Sequence, residues 1–148
     1  MYAHIMLPLD GSELSLKALN EGVALAKALG SKLTLITVVS SYHTGVTVPF
    51  SSALVQEIEK SHDEEAKKAA EKLHVDMSAR ARSEGVKCES VVAFGDSPYE
   101  EIIAKAQASK CDLIVMASHG RKGLDGLLLG SETVKVLTHS HIPVLVVR

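Results

Sequence analysis

The chain has almost no net charge: 16 basic and 18 acidic side chains leave a formal −2 over 148 residues. No overall field therefore draws polyanions, which argues against nucleic acid as the partner, and any anion site must be local. Cysteine is scarce too. Cys88 and Cys111 stand alone, without a C-x-x-C spacing, which argues against a disulfide framework or a zinc site. Two free thiols fit a reducing, cytoplasmic setting. The opening MYAHIMLPLDGS lacks a basic leader, and Pro8 and Asp10 break its apolar run, so it does not read as a secretion signal. No apolar stretch approaches the roughly 20 residues that span a bilayer, so no membrane partner is expected. Seven histidines are present, but a structural metal site needs about four converging ligands, and no cluster suggests one.

What the chain does contain is alternation. His4–Leu9, Leu33–Val39, Glu89–Phe94, Leu113–Ala117 and Pro143–Val147 are short dense apolar runs, the pattern of strands buried on both faces. Between them lie segments of helical period. Leu16, Leu19, Val23, Ala26 and Leu29 precede a stop at Gly30. In the segment from Ser52 to Glu84, Leu54, Ile58, Ala66, Ala69, Leu73 and Met77 share a face. Ser97-Pro98 opens a third helix, with Glu100 expected to complete a capping box, and Ser131–His139 forms a fourth. Strands alternating with helices imply a parallel sheet with right-handed crossovers. The expected fold is therefore α/β, one domain over residues 1–148, with a five-stranded parallel sheet in the order 3-2-1-4-5 and helices on both faces.

That order reverses between strands 1 and 4, and ligands of open α/β sheets bind at such a switch, beyond the carboxyl ends of the strands. The segments placed there are LDGS after strand 1 and ASHGRKGLDGLLLGSET from Ala117 to Thr133. Glycines at 120, 123, 126 and 130 let backbone amides approach a ligand, and the leucines at 127–129 are expected to dock the loop. Gly130-Ser131 falls at a helix start, where N–H groups and the helix dipole suit phosphate. The dipole contributes only about 0.3–1 kcal/mol to an exposed anion, so amides and hydroxyls must converge, with Ser131 and Thr133 supplying the hydroxyls. Arg121 and Lys122 either add charge or stay solvated. Asp10 is either a ligand group or a turn residue. His119 lies in the same pocket, without a nucleophile that would make it a general base. Residues 41–51 show no periodicity and are expected to cross over the crevice. The spacing is neither a Walker A loop nor G-x-G-x-x-G.

LPLDGSE, ASHGRKGLDGLLLGSET and the terminal PVLVV resemble the universal stress proteins over essentially the whole chain. The resemblance implies a Rossmann-like fold of the adenine nucleotide alpha hydrolase-like kind, and it points to the ATP-binding branch with its pattern Gly, two residues, Gly, nine residues, Gly, Ser or Thr. On this sequence the last two glycines are Gly120 and Gly130, with Ser131 following, while the first falls on Ala117, a departure. By resemblance Asp10 and the backbone near Val38 hold adenine, Met116 and Ala117 line the nucleoside, Gly120, Gly130, Ser131 and Thr133 take phosphates, and Pro8 shapes the first loop. Glu132 places a carboxylate among them unless it turns away or reaches a metal.

Three readings of function stay open: an ATP-binding regulatory module with Mg or Mn on the nucleotide, a weak ATP hydrolase, or a dimeric interaction protein with a vestigial pocket. No catalytic residue is assigned. The C-terminal strand is expected at a sheet edge, where pairing with a second copy makes a homodimer.

Overall fold

Apolar runs without polar alternation require cover on both faces, and the computed structural model, which describes residues 1–41, 52–120 and 129–148, supplies it. Strands β1 (His4–Pro8), β2 (Lys32–Val39), β3 (Cys88–Phe94), β4 (Leu113–Ala117) and β5 (Val144–Val147) form one parallel sheet in the order β3-β2-β1-β4-β5, as expected. The helices are α1 (Glu13–Leu29), α2 (Ser52–Ser83), α3 (Pro98–Ala108) and α4 (Ser131–His139). Leu7, Leu33, Leu35, Leu113 and Val115 pack into a core on the α1 and α2 side. Met6, Ile36, Ala93, Ile114 and Met116 pack into a second core with Ile102, Ala106 and Val136 from α3 and α4. All five residues of β4 are buried, as a central parallel strand demands.

Strand ends differ slightly from the sequence expectation, for reasons of hydrogen bonding. The β1–β2 ladder ends at the pairing of Pro8 with Ile36, one residue before Leu9. Pro143 precedes β5: its carbonyl accepts from the Ile114 N–H, but proline has no N–H to continue the ladder.

Helix α2 departs more. Its buried stripe is Ala70, His74, Ser78 and Ala81, while Leu54 and Ile58 remain 42% and 47% exposed. Leu73 and Met77 are partly buried against the first core. A helix of 32 residues runs about 48 Å. The eight-residue β2 spans only about 26 Å. Only the C-terminal part of α2 can therefore lie on the sheet, and its closest stripe is small and polar. His74 on that stripe hydrogen-bonds through Nε2 to Thr37 Oγ1 at 2.8 Å, and burial lowers its pKa, an effect that nearby Glu71 partly offsets. Cys88 and Cys111 are both buried and free. Burial raises both thiols, Cys111 to about 11, which leaves them protonated at neutral pH. Among the described residues no helix is long and apolar enough to cross a membrane.

Candidate functional site

The ends of β1, β2 and β4 meet where the strand order reverses. After Pro8 the chain keeps hold of β2 for one more residue: the Leu9 N–H donates to the Ile36 carbonyl at 2.7 Å, and the Leu9 carbonyl accepts from the Thr37 hydroxyl at 2.7 Å. Asp10 then turns the chain into α1. Its Oδ1 accepts from the Ser12 N–H at 2.9 Å, and Ser12 caps α1 by accepting from the Ser15 N–H. The turn role weighed for Asp10 is thus real and engages one carboxylate oxygen. Its other oxygen, Oδ2, faces the β4 side of the crevice so closely that a methyl group on Gly120 would overlap it.

The β4 side is stitched shut at its base. Ala117 pairs with Val147, and the Ser118 N–H donates to the Val147 carbonyl at 2.8 Å. The chain returns at Gly130, whose N–H donates to the Ser118 carbonyl at 2.8 Å. A Cβ on Gly130 would stand 3.0 Å from both Cα and Cβ of His119, so a side chain there would crowd the His119 backbone, while the φ of −63° is open to any residue. His119 is half-buried between Gly120 and Gly130, with Nδ1 3.3 Å from Ser118 Oγ. Helix α4 begins immediately after. The Val134 N–H makes its first intrahelical bond, to the Gly130 carbonyl, so the N–H groups of Ser131, Glu132 and Thr133 belong to the turn that has no helical acceptors.

Several site residues differ in role from the expectation. Thr133 is 2% exposed and donates its hydroxyl to the Ala117 carbonyl at 3.0 Å, so that group anchors α4 to β4. Ser131 is exposed at the helix mouth. Ala117 lies in β4 with extended backbone, and its methyl belongs to the α1-side core. Nothing in that backbone calls for the glycine of the motif. Met116 is buried in the second core, with Val38 packed against it, so both present backbone at the strand ends. The structure brings Asp10, Gly120, His119 and Gly130 into one junction. Pro8 and Val38 stand on its β1 and β2 side. Arg121, Lys122, Gly123, Gly126, Leu127, Leu128 and the expected crossing segment after Ser41 lie outside the described residues.

Glu132 is turned away from the junction. Its Oε2 accepts from the Tyr99 N–H at 3.0 Å and its Oε1 from Lys135 Nζ at 2.8 Å. This overturns the expected capping box: Ser97 makes no side-chain cap, and the Glu100 carboxylate accepts from the Tyr99 hydroxyl instead. A carboxylate from a neighbouring helix has taken the acceptor position at the start of α3, where the dipole favours negative charge. Local sequence held no sign of it, because the two residues are 33 positions apart. Sequence reading also passed over Thr37, though a polar residue on the α2-facing side of β2, in line with Leu33 and Leu35, was a usable signal. A surface groove of about 580 Å³, lined by Lys32, Arg82, Lys87 and Glu89, opens at the starts of β2 and β3, the opposite end of the sheet.

Comparison with known proteins agrees with the fold. The profile described as the universal stress protein family matches residues 1–148. The chain belongs to that family. Universal stress protein MJ0531 of Methanocaldococcus jannaschii is 36% identical over 149 residues, covering 100% of this chain and 83% of its own length. The solved structure of a second protein from that organism, MJ0577, superposes with a TM-score of 0.84 at 29% identity, covering 99% of this chain and 96% of its own. A universal stress protein solved in complex with cAMP has the same fold, with a TM-score of 0.70 at 24% identity and coverage of 99% and 97%.

The contact between Glu132 and α3 in this universal stress protein carries a definite expectation. Replacing Glu132 with Ala removes the acceptor from the Tyr99 N–H and lowers stability by about 0.5–2 kcal/mol, the range of a lost helix cap. Glu100→Ala leaves that acceptor in place and costs less. Urea denaturation of the two variants checks the ranking, and equal losses would contradict it.

Proposed function

We propose that this universal stress protein belongs to the ATP-binding branch and binds an adenine nucleotide at the junction of β1 and β4, with Mg²⁺ or Mn²⁺ on the phosphates. It then acts as a nucleotide-dependent regulatory module. The observation that carries the reading is the Asp10–Gly120–Gly130 junction. The crevice is so close-walled that a Cβ at either glycine would meet Asp10 or His119, and it opens directly onto the first turn of α4. Close backbone with free-ended helical N–H groups is what a phosphate chain needs. The cAMP complex supports the reading, since a protein of the same fold holds an adenine nucleotide.

In this reading Pro8 directs the first loop, Asp10 and the Val38 backbone take adenine, and the backbone of Met116 and Ala117 lines the nucleoside. Gly120, His119, Gly130 and Ser131 surround the phosphates, and Thr133 contributes its first-turn N–H while its hydroxyl holds Ala117. A carboxylate at the phosphates would repel them, and Glu132 faces α3 instead. A divalent ion carried with the nucleotide would neutralise phosphate charge, and among the described residues no cluster of three His, Cys, Asp or Glu side chains would hold it independently. None of the described residues at the junction stands as a base beside a positioned nucleophile, so binding is favoured over hydrolysis. Buried free thiols fit work in the cytoplasm.

The same reading includes a homodimer. β5 is an edge strand, and Leu145 on it and Val134 and Leu137 on the neighbouring α4 are exposed large apolar residues.

Thermal melts of the purified chain with and without MgATP test the binding. At ligand about 100 times its dissociation constant the native state gains about 2.7 kcal/mol, which raises the midpoint by several degrees for a chain of this size. Gly130→Asp, which places a carboxylate beside the helix mouth, abolishes the rise. An unchanged wild-type midpoint would overturn the reading in favour of a dimer with a vestigial pocket. Light scattering at micromolar concentration is expected to give a dimeric mass, and a monomeric mass would contradict the assembly.

A further inference from the structure

The grip of β2 on Leu9 has an unusual form. In a parallel ladder a residue gives its N–H to one residue of the neighbouring strand and takes, at its carbonyl, the N–H two residues further on. Leu9 obeys the first half, donating to the Ile36 carbonyl, so its carbonyl should next accept the Val38 N–H. The ladder instead ends at Pro8–Ile36, and the Leu9 carbonyl accepts from the Thr37 side chain. A carbonyl cannot donate, so the Thr37 hydroxyl hydrogen points at Leu9. The hydroxyl oxygen must then receive the proton of His74 Nε2, 2.8 Å away. His74 is 3% exposed, and burial disfavours its charged form, which fits a neutral ring carrying its proton on Nε2. The hydroxyl is thereby locked in one rotamer by a side chain on α2.

We propose that Thr37, fixed by His74, is a positioning residue for the adenine site. Its hydroxyl draws the Leu9 carbonyl out of line with the Val38 N–H, ends the β1–β2 ladder one step early, and leaves that N–H turned to the crevice as a donor for a ring nitrogen of the base. The same bond holds the peptide immediately before Asp10, so a single hydroxyl sets both walls that face the base. The inference rests on the nucleotide reading above for its ligand, but the ladder ending is a property of the chain itself.

Thr37→Val keeps the branched shape and deletes the hydroxyl, and Thr37→Ser restores it. With the hydroxyl gone, nothing holds the Leu9 carbonyl out of line with the Val38 N–H, and the ladder can extend by that bond. Amide hydrogen exchange of the ligand-free full chain should then slow at Val38 in Thr37→Val and not in Thr37→Ser. Calorimetric titration with MgATP should show affinity falling about fivefold or more in Thr37→Val, the scale of one lost hydrogen bond, while Thr37→Ser stays close to wild type. The double variant Thr37→Val/His74→Leu leaves no buried donor orphaned, and must reproduce both effects if they come from the hydroxyl and not from damage to the core. Imidazole ¹⁵N shifts of the wild type should show His74 neutral with its proton on Nε2. Unchanged Val38 exchange, or wild-type affinity in Thr37→Val, would overturn the proposal. A wild type that binds no adenine nucleotide would overturn the reading beneath it, and Val38 exchange, measured without ligand, would still decide the ladder claim by itself.

Discussion

The hydrogen bond from the Gly130 N–H to the Ser118 carbonyl closes the long connection after β4 at its base, and the site depends on that closure. Without it, α4 would have no reason to begin over the end of β4. With it, and with the Thr133 hydroxyl on the Ala117 carbonyl, the first turn of α4 is held against the strand that ends the switch point. At 130 a side chain would press on the His119 backbone, and at 120 it would displace the Asp10 carboxylate from its present position. Two close approaches between backbone and side chain thus fall at the two glycines that the chain keeps.

Energetics explain why so many elements converge. One helix terminus stabilises an exposed anion by about 0.3–1 kcal/mol, and one net hydrogen bond contributes about 0.5–1.5 kcal/mol. Neither alone yields micromolar binding, which requires about 8 kcal/mol. On the proposed nucleotide reading, affinity must come from several groups fixed in advance, since ordering them at the time of binding would cost much of the gain. Fixing is what the structure shows: Asp10 is held by the Ser12 amide, Leu9 by Ile36 and Thr37, Gly130 by Ser118, and Glu132 is held clear of the site by Tyr99 and Lys135.

Sheet order and the location of the crevice were legible in the sequence because they follow from doubly buried strands and the switch rule, which act through pattern and connectivity alone. That Gly120, Gly130 and Asp10 lie together was legible from connectivity, since the segments after β1 and β4 must meet at the switch. The α2 contact stripe was not. Leu54 and Ile58 satisfy helical periodicity as well as Ala70 and His74 do, and only the mismatch between helix length and strand length decides which part meets the sheet. The hydroxyl of Thr133 was assigned to phosphate from its place two residues after Ser131, but residues two apart on a helix point to nearly opposite faces, and Thr133 faces the core. Glu132 and the Thr37–His74 pair act across 33 and 37 positions: Thr37 shows itself as a polar residue in line with Leu33 and Leu35, but no local signal names either partner.

The central claim is a location, and a ¹H–¹⁵N correlation spectrum recorded during titration with MgATP tests it most directly. The account predicts that the amides of Asp10, Val38, Gly120, Gly130 and Ser131 shift together along one saturable curve, while those of Arg82, Lys87 and Glu89 at the opposite end of the sheet stay in place. Shifts confined to that opposite groove, or none at saturating nucleotide, would contradict it.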